Sequence, residues 1–378
     1  MNVGLALLTL FPGKTGGGET YVRGLLEAFA AGEGPETTTC LVSRHSQPSV
    51  QEFAGARVRI KRVDSYRPGD SNLTRLLAMS AARITPARAA RDVPKEIDLI
   101  HYPVTVPIPM VDGIPRVVSL NDVQHHDLPQ MFSSAERIYR RWAYDNAARE
   151  ADIVITISDF SANRIAETIG ISRDRIEVSY LGVDHQRFSP DGPAPSLPGL
   201  PERYLYYPAN AWPHKNHKLL LDAFSRINDP SLHLVLTGSG DTAAVMRGAS
   251  ERIHHLGRVP ADQVAPLLRG AQALIFPSLY EGFGLPPLEA MACGCPVAAS
   301  NIGAVAEVCG DGALLFDPGD IDALVEAIDR VVDDETLRSD LTARGLQRAA
   351  QFTWEQTANR HRDLYKLAAG RRPDRSVA

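Results

Sequence analysis

Two glutamates, Glu281 and Glu289, flank a segment that reads Glu-Gly-Phe-Gly-Leu-Pro-Pro-Leu-Glu. The two prolines predict a helix start, because proline is tolerated in the first helical turn, where its missing N–H does no harm. The glycines let backbone N–H groups approach an anion, and a helix N-terminus favours negative charge. The segment therefore predicts a binding site for a nucleoside diphosphate. The residues expected to contact the donor here are Gly282, Phe283, Gly284 and Leu285.

Glu289 has a separate expected role. We expect it in the first turn of the helix, where its carboxylate can accept hydrogen bonds from two neighbouring hydroxyl groups, as on a ribose. The alternative is that it only stabilises the helix dipole, an effect of ~0.3–1 kcal/mol. The dipole does not explain the whole string. After Ala290, the residues Met-Ala-Cys-Gly-Cys-Pro-Val follow it.

The complete string resembles the signature of family 4 glycosyltransferases, which share the GT-B fold. Other segments along most of the chain are similar to the same family. They are Gly16-Gly17-Gly18-Glu19, Ile155-Thr156-Ile157-Ser158, Leu181-Gly182-Val183-Asp184 and the loop Tyr-Pro-Ala-Asn-Ala-Trp-Pro-His-Lys-Asn-His at 207–217.

The resemblance implies roles for matching residues. Glu281 would position the transferred sugar and stabilise its developing positive charge, and Lys215 would neutralise the departing diphosphate. The nucleotide base is expected near Arg258. Further donor-binding residues are expected at Gly16, Gly17, Asn210 and His214.

The chain departs from the family at two places. Many relatives carry an arginine where this chain has Ala209, so a second cation must come from Arg258 or His214, or be absent. The family also often places a histidine before the aspartate that follows its fourth strand, where this chain has Asn121-Asp122. We expect His125 to line the acceptor site as a catalytic group, with Asp122 and His126 beside it; solvated loop histidines are the alternative.

The resemblance also implies retention at the anomeric carbon without a bound metal or other cofactor. No Asp-x-Asp motif directly follows a predicted strand. GDP-mannose is the first candidate donor and a UDP-sugar the second, with a glycan or lipid-linked acceptor in surface polysaccharide synthesis. An epimerase or phosphorylase of the same architecture and a non-catalytic sugar-nucleotide sensor are rival hypotheses. A dehydrogenase is disfavoured, because Gly13–Gly18 lacks the Gly-x-Gly-x-x-Gly spacing.

Short apolar runs alternate with helical patterns on both sides of a proline-rich stretch at 189–201, which has five prolines in thirteen residues. Strands that are apolar on both faces are typical of parallel sheets covered by helices. We therefore predict an α/β protein with the GT-B fold, in which two Rossmann-like domains face a central cleft. The predicted parts are an N-terminal acceptor-binding domain at 1–188, a linker at 189–203, a C-terminal nucleotide-sugar domain at 204–354, and at 355–378 a helix that packs back on the N-terminal domain.

Composition bounds the possible partners. The 378 residues carry a net charge of −5, with 44% hydrophobic and 22% charged residues, so nucleic acid is not an expected partner. The region 57–91 is locally basic, with nine lysines and arginines against two aspartates. Its interleaved apolar residues predict either peripheral contact with an anionic membrane or a solvated basic face. We expect a cytoplasmic protein with its four cysteines buried and reduced. The interleaved residues are Leu73, Leu76, Leu77 and Met79.

Overall fold

Short strands, most of them largely buried, form two parallel sheets in the computed structural model, which describes residues 1–13, 16–34, 36–67 and 72–371. The chain divides into two compact units. The first comprises Met1–Gly182 and the segment that starts at Trp354, and the second is Val183–Thr353. The predicted α/β class with two Rossmann-like sheets is confirmed.

The sheet of the first unit has the strand order β3-β2-β1-β4-β5-β6-β7, with every pair parallel. The order reverses between β1 and β4, so the loops after these strands diverge and leave a crevice at their carboxyl ends. The strands are β1 Asn2–Ala6, β2 Thr37–Val42, β3 Val58–Arg62, β4 Leu99–Tyr102, β5 Arg116–Ser119, β6 Ile153–Thr156 and β7 Ile176–Val178.

Helices connect these strands. Between β5 and β6 the chain forms three α-helices, and a π-helical turn, Arg141–Asp145, joins the last two. The α-helices are α1 Gly17–Ala31, α2 Asn72–Ile84, α3 Pro86–Ala89, α4 Gln124–Asp127, α5 Ser134–Arg140, α6 Asn146–Glu150 and α7 Asp159–Ile169. Short 3-10 helices cover Gln47–Ser49, Gln51–Phe53, Pro129–Met131 and Arg173–Arg175.

The second unit has the strand order β10-β9-β8-β11-β12-β13, again parallel, with the reversal between β8 and β11. Its strands are β8 Tyr204–Pro208, β9 His233–Thr237, β10 Ile253–His255, β11 Ala273–Phe276, β12 Val297–Ser300 and β13 Leu314–Phe316. Its helices are α8 His217–Phe224, α9 Thr242–Val245, α10 Ala261–Gly270, α11 Leu285–Ala292, α12 Gly303–Cys309, α13 Ile321–Asp333 and α14 Glu335–Ala349, with 3-10 turns at Pro213–Lys215 and Gly310–Gly312.

The proline-rich stretch lies inside the second unit and is attached to α10. The guanidinium group of Arg269 donates hydrogen bonds to the carbonyl oxygens of Ser189, at 3.1 Å, and Pro193. The unit itself begins at Val183, ahead of the segment predicted as a linker.

The last helix, α15 at Trp354–Gly370, belongs to the first unit and packs against α1. A buried polar network fixes it to the sheet. The hydroxyl group of Tyr21 lies 2.6 Å from Nε2 of His361, and the Tyr365 hydroxyl lies 2.8 Å from Nδ1 of His101. Burial lowers the pKa of both histidines, to about 4 for His361, so they are neutral at pH 7.

Candidate donor site

The two loops predicted to bind the donor lie side by side in the second unit. One follows β8 and the other follows β11, the neighbouring strands between which the strand order reverses. The backbone N–H of Leu279 donates a 2.7 Å hydrogen bond to the carbonyl oxygen of His214 and joins the loops. Ligands of open α/β sheets bind at this position, outside the carboxyl ends of the strands.

Lys215 and Glu281 form an ion pair across these loops, with 2.6 Å between Nζ and Oε1. Both side chains are largely buried, with 13% and 15% of their surface exposed. The backbone around the lysine is held firmly: the Tyr207 hydroxyl donates to its carbonyl oxygen at 2.8 Å. Asn216 follows in the left-handed region and its side-chain amide donates to the Pro277 carbonyl at 3.1 Å. The structure therefore brings together two groups that the sequence assigned to phosphate and sugar separately.

The helix start predicted from the two prolines is confirmed. Helix α11 begins at Leu285 and has prolines at its second and third positions. Gly284 precedes it with φ of 114°, a conformation that L side chains rarely adopt. Gly282, Phe283 and Gly284, whose backbone N–H groups were predicted to contact phosphate, directly precede this helix.

The prediction that Glu289 lies in the first helical turn is wrong. Because α11 begins at Leu285, Glu289 is its fifth residue and lies in the second turn. The prolines take up the first turn, the only part of the helix that tolerates their missing N–H groups. Glu289 is therefore not a first-turn partner of the helix dipole, which removes that alternative explanation for a carboxylate at this position.

The environment of Glu289 shifts its ionisation. Burial raises its pKa to about 7; the Arg187 guanidinium opposes this rise and the Asp184 carboxylate adds to it. At neutral pH the side chain is therefore divided between the protonated and the ionised form.

Of the two residues that could replace the missing arginine, Arg258 carries a guanidinium group, whereas His214 is neutral at pH 7. Burial and the neighbouring Lys215 lower the pKa of His214 to about 4. Arg258 is exposed and lines a cavity of about 220 Å³ together with Ala209 and Asn210. A guanidinium group thus lies beside the position where relatives carry arginine. The other residues lining this cavity are Pro208, Thr237, Gly238, Val259 and Val264.

The glycines predicted near the N-terminus lie in the first unit, after β1. Gly16 has φ of 57° and ψ of −129° and precedes α1, which begins at Gly17. The side chain of Glu19 accepts a 2.7 Å hydrogen bond from the backbone N–H of Gly13. Lys14 and Thr15, within the same loop, lie outside the described residues.

The predicted acceptor-side residues follow β5 in the first unit. Asp122 accepts a hydrogen bond from the backbone N–H of Gln124 at 3.1 Å and so shapes the turn into α4. Nε2 of His125 and Nε2 of His126 both point at Asp145, a residue that the sequence reasoning missed. The signal that could have identified Asp145 is an acidic residue on the buried face of the helical sequence between β5 and β6.

These two histidines and Asp145 have ligand atoms within 4.8 Å of one another, a spacing compatible with a metal ion.

Asp320 and Asp322 have the Asp-x-Asp spacing, but Asp320 accepts hydrogen bonds from backbone N–H groups at the start of α13, and Asp322 pairs with Arg226 at 2.7 Å. These two aspartates therefore have structural roles at the start of the helix.

The apolar residues of the basic region have different positions. Met79 is buried in the core of the first unit, so its predicted place on a membrane-facing surface is wrong: it packs beneath α5, where the Tyr139 hydroxyl lies 3.6 Å from its sulfur. Leu77 and Ile84 are exposed, and the side chains of Leu73 and Leu76 lie outside the described residues.

No described helix is both long and apolar enough to cross a bilayer. The cysteines are buried and free of disulfides, as predicted, and burial raises the pKa of each thiol.

Two family models match the chain, one for each part. The model "Glycosyltransferase Family 4" matches residues 15–187, and the model "Glycosyl transferases group 1" matches residues 194–348. Together they account for both α/β units.

Similar proteins of known activity include two mannosyltransferases. The chain is 33% identical over 267 residues to O-antigen chain mannosyltransferase B of Escherichia coli, an alignment that covers 66% of this chain and 70% of that protein. It is also 33% identical over 251 residues to the MMP alpha-(1->4)-mannosyltransferase of Mycolicibacterium hassiacum, covering 62% of this chain and 60% of that protein.

Solved structures share the fold along nearly the whole chain. Sucrose-phosphate synthase from Thermosynechococcus elongatus superposes with a TM-score of 0.75 at 21% identity, covering 97% of this chain and 98% of that one. Anabaena HepE in complex with UDP and glucose gives 0.71 at 18% identity, covering 97% and 100%.

Two parallel Rossmann-like sheets with a charged site at a strand-order reversal define the class as GT-B glycosyltransferases. Within that class, the chain belongs to the family 4 glycosyltransferases.

Proposed function

We propose that this glycosyltransferase transfers mannose from GDP-mannose, with retention at the anomeric carbon and without a metal, to a glycan or lipid-linked acceptor in surface polysaccharide synthesis. The Lys215–Glu281 pair at the reversal between β8 and β11 carries the proposal. The choice of sugar is supported by the two mannosyltransferases at 33% identity.

The charges of the donor site suit a leaving diphosphate. Lys215 supplies one positive charge beside the glycine-rich loop, and Arg258 supplies a second beside Ala209. Together with the backbone N–H groups before α11, they would neutralise the negative charge that develops as the glycosidic phosphate bond breaks. Preformed donors of this kind need no metal ion.

Glu281 has a positioning and electrostatic role in this proposal. The acceptor hydroxyl attacks the anomeric carbon on the face from which the diphosphate departs. The new C–O bond forms as the bond to phosphate breaks, and the leaving phosphate oxygen takes the hydroxyl proton. A carboxylate nucleophile is therefore not needed, and Glu281 stabilises the developing positive charge on the sugar ring while it holds Lys215 in place.

A UDP-sugar is the second candidate donor, because none of the residues assigned to the donor site has a role that distinguishes guanine from uracil. A non-catalytic nucleotide-sugar sensor is the further alternative. The presence of both Lys215 and Glu281 argues against a sensor, since binding alone does not require a carboxylate beside the leaving diphosphate.

A donor screen tests the choice of sugar nucleotide. The parent protein is mixed with GDP-mannose, GDP-glucose, UDP-glucose and UDP-galactose, and both thermal stabilisation and nucleotide release are measured. The proposal expects the largest stabilisation and release with GDP-mannose. Preference for a UDP-sugar overturns the donor assignment. If a sugar nucleotide stabilises the protein but no nucleotide is released with any of the acceptors tested, the sensor is favoured.

A Glu289→Ala variant in the same screen tests the ribose assignment. The matched control is Glu307→Ala, a glutamate on the neighbouring helix α12. The proposal expects weaker nucleotide binding for the first variant and parent-like binding for the second. A Glu289→Ala protein that binds as tightly as the parent would refute the assignment.

We also propose peripheral contact of the first unit with the inner face of an anionic membrane, which would present a lipid-linked acceptor. Leu77 and Ile84 of α2 are exposed, as are Ile138 and Trp142 on the segment after β5. The Arg83 guanidinium lies 5.0 Å from the Trp142 ring centroid, so apolar and basic groups of the two segments are adjacent. This combination suits the interface of an anionic bilayer.

Vesicle flotation tests this contact. The protein is expected to float with vesicles of phosphatidylglycerol and phosphatidylethanolamine at low salt and to be released at high salt. A Leu77→Gln, Ile84→Gln double variant should float less. Equal flotation with neutral vesicles, or none with anionic ones, contradicts the proposal and favours a solvated basic face.

A further inference from the structure

The π-helical turn after α5 places a carboxylate in the interior of the first unit. It interrupts an otherwise continuous helical stretch from Ser134 to Glu150 and ends at Asp145. The Asp145 side chain is only 5% exposed. Such turns are rare and occur frequently at functional sites, because the extra residue redirects one side chain.

Both histidines of α4 direct Nε2 at this carboxylate. His126 Nε2 lies 3.0 Å from Oδ2 and 3.2 Å from Oδ1, and His125 Nε2 lies 3.3 Å from Oδ1. Burial alone would raise the pKa of Asp145, but the hydrogen bonds from the two histidines outweigh it and hold the pKa below its usual value. The group is therefore an ionised carboxylate, which can only accept hydrogen bonds. Each histidine must then carry its hydrogen on Nε2.

In a singly protonated ring this tautomer leaves Nδ1 as a bare acceptor, and the two rings differ in access. His125 is fully buried, and its Nδ1 has no hydrogen-bond partner among the described residues. His126 is 14% exposed, and its Nδ1 is neither enclosed nor bonded within the described part of the chain. The two ring centroids lie 4.4 Å apart, so the buried ring packs directly against the accessible one.

The groups around the pair support a fixed orientation. The edge of the Tyr144 ring meets the His125 ring at a centroid distance of 5.9 Å. The next residue of α4, Asp127, is paired with Arg164 of α7 and is not available to the histidines. The His126 imidazole is thus hydrogen-bonded to Asp145 through Nε2 and packed against the His125 ring, and its Nδ1 is accessible.

We propose that His126, and not His125, presents the imidazole nitrogen that accepts a hydrogen bond from a hydroxyl group of the sugar acceptor, with Asp145 and His125 as its positioning residues. The inference rests on the proposed transferase function. It follows the logic of a carboxylate–histidine pair, in which the carboxylate fixes the tautomer and the opposite nitrogen meets the substrate.

A metal ion is the competing occupant of the cluster. A histidine that binds metal through one nitrogen normally donates its other N–H to an acceptor. His125 has no such acceptor for Nδ1 among the described residues. A buried N–H without a partner is rarer than a buried bare acceptor, so the hydrogen-bonded arrangement is favoured.

Nitrogen-15 NMR of the histidine-labelled full chain tests the tautomers without relying on activity. In the parent at pH 7.5, His125 and His126 are expected as Nε2–H tautomers, and addition of α-methyl mannoside should shift the Nδ1 resonance of His126 more than that of His125. In Asp145→Asn, the amide N–H₂ would face one imidazole and force at least one ring into the Nδ1–H tautomer. Asp127→Asn, the adjacent carboxylate, is the matched control and should leave both tautomers unchanged.

Kinetics with GDP-mannose and α-methyl mannoside form the second arm. His126→Gln should lower kcat/KM for the mannoside on the order of tenfold, the effect of about one lost hydrogen bond, with the KM for GDP-mannose unchanged. Asp145→Asn should do the same and change the pH profile.

The inference is overturned by Nδ1–H tautomers in the parent, by parent-like tautomers in Asp145→Asn, by a mannoside response confined to His125, or by Zn²⁺-induced shifts at micromolar metal. If the tautomers and the mannoside response are as expected but no mannose is transferred, the proposed function fails while the positioning role stands.

Discussion

Nucleotide-sugar binding should strengthen as the pH rises from 6 to 8, because the carboxylate expected to meet the ribose has a pKa of about 7. The ionised form of Glu289 accepts hydrogen bonds from both ribose hydroxyls, whereas the protonated form loses one acceptor position to its own hydrogen. With this pKa, the ionised fraction is about 0.1 at pH 6 and about 0.9 at pH 8. If only that form binds, the Kd falls by about tenfold across this range and levels off above it.

Isothermal titration calorimetry with intact GDP-mannose measures this dependence. The two phosphates of an intact sugar nucleotide are esterified and remain ionised throughout, so the ligand does not titrate. The histidines of the same loop do not interfere, because burial lowers the pKa of His214 and of His217 to about 4. Titrations in two buffers of different ionisation enthalpy should show release of close to one proton per ligand bound at pH 6.

The control is Glu289→Gln, which keeps the size of the side chain and removes its titration. This variant should bind with an affinity that is flat between pH 6 and pH 8. The reasoning is refuted if the parent shows a flat affinity, or if the variant retains the same tenfold change, since another group would then be responsible.

Four further predictions follow from the same structure. Glu281→Gln leaves Lys215 without its partner and should lower the free energy of unfolding by about 2 kcal/mol, as measured by urea denaturation. The double variant Lys215→Met, Glu281→Gln should lose less stability, because it leaves no unpaired charge. Gly284→Ala forces a side chain into positive φ and should cost about 1–3 kcal/mol in the same assay. Acidification from pH 7.5 to pH 5 should lower the free energy of unfolding by on the order of 2 kcal/mol through His361. The reason is that its pKa of about 4 in the folded protein lies below its pKa in the unfolded chain. The stabilisation is complete above pH 6.5 and is lost as the pH falls towards 4. Arg258→Ala should weaken nucleotide binding about tenfold without changing the unfolding free energy.

Each of these has a contradicting result. A double Lys215→Met, Glu281→Gln variant as unstable as the sum of the single variants would show that the pair is not coupled. Parent-like stability of Gly284→Ala would mean that the loop relaxes to negative φ. Equal acid sensitivity in a His361→Gln variant would assign the effect to other groups, and unchanged nucleotide affinity in Arg258→Ala would leave the second cation unidentified.

The fold was predictable because its signals are local. A strand such as Ala273–Phe276, whose four residues are all buried, is recognisable as an apolar run that belongs to a sheet covered on both faces. The start of α11 was predictable because proline restricts where a helix can begin. The position of Glu289 within that helix was not, because the helix boundary depends on the conformation of Gly284, which the residue type permits but does not impose.

The amino-acid sequence was sufficient to predict the family, the two α/β units and the loops that hold the candidate donor-site residues. Which of those residues meet depends on the three-dimensional fold. Lys215 and Glu281 are 66 positions apart and become an ion pair because β8 and β11 are neighbours in the sheet. Asp145 joins His125 and His126 because a π-helical turn directs it inward, and burial separates the enclosed ring from the accessible one. Periodicity and residue type act over a few positions of the chain, whereas strand order and burial act between segments that are distant in sequence.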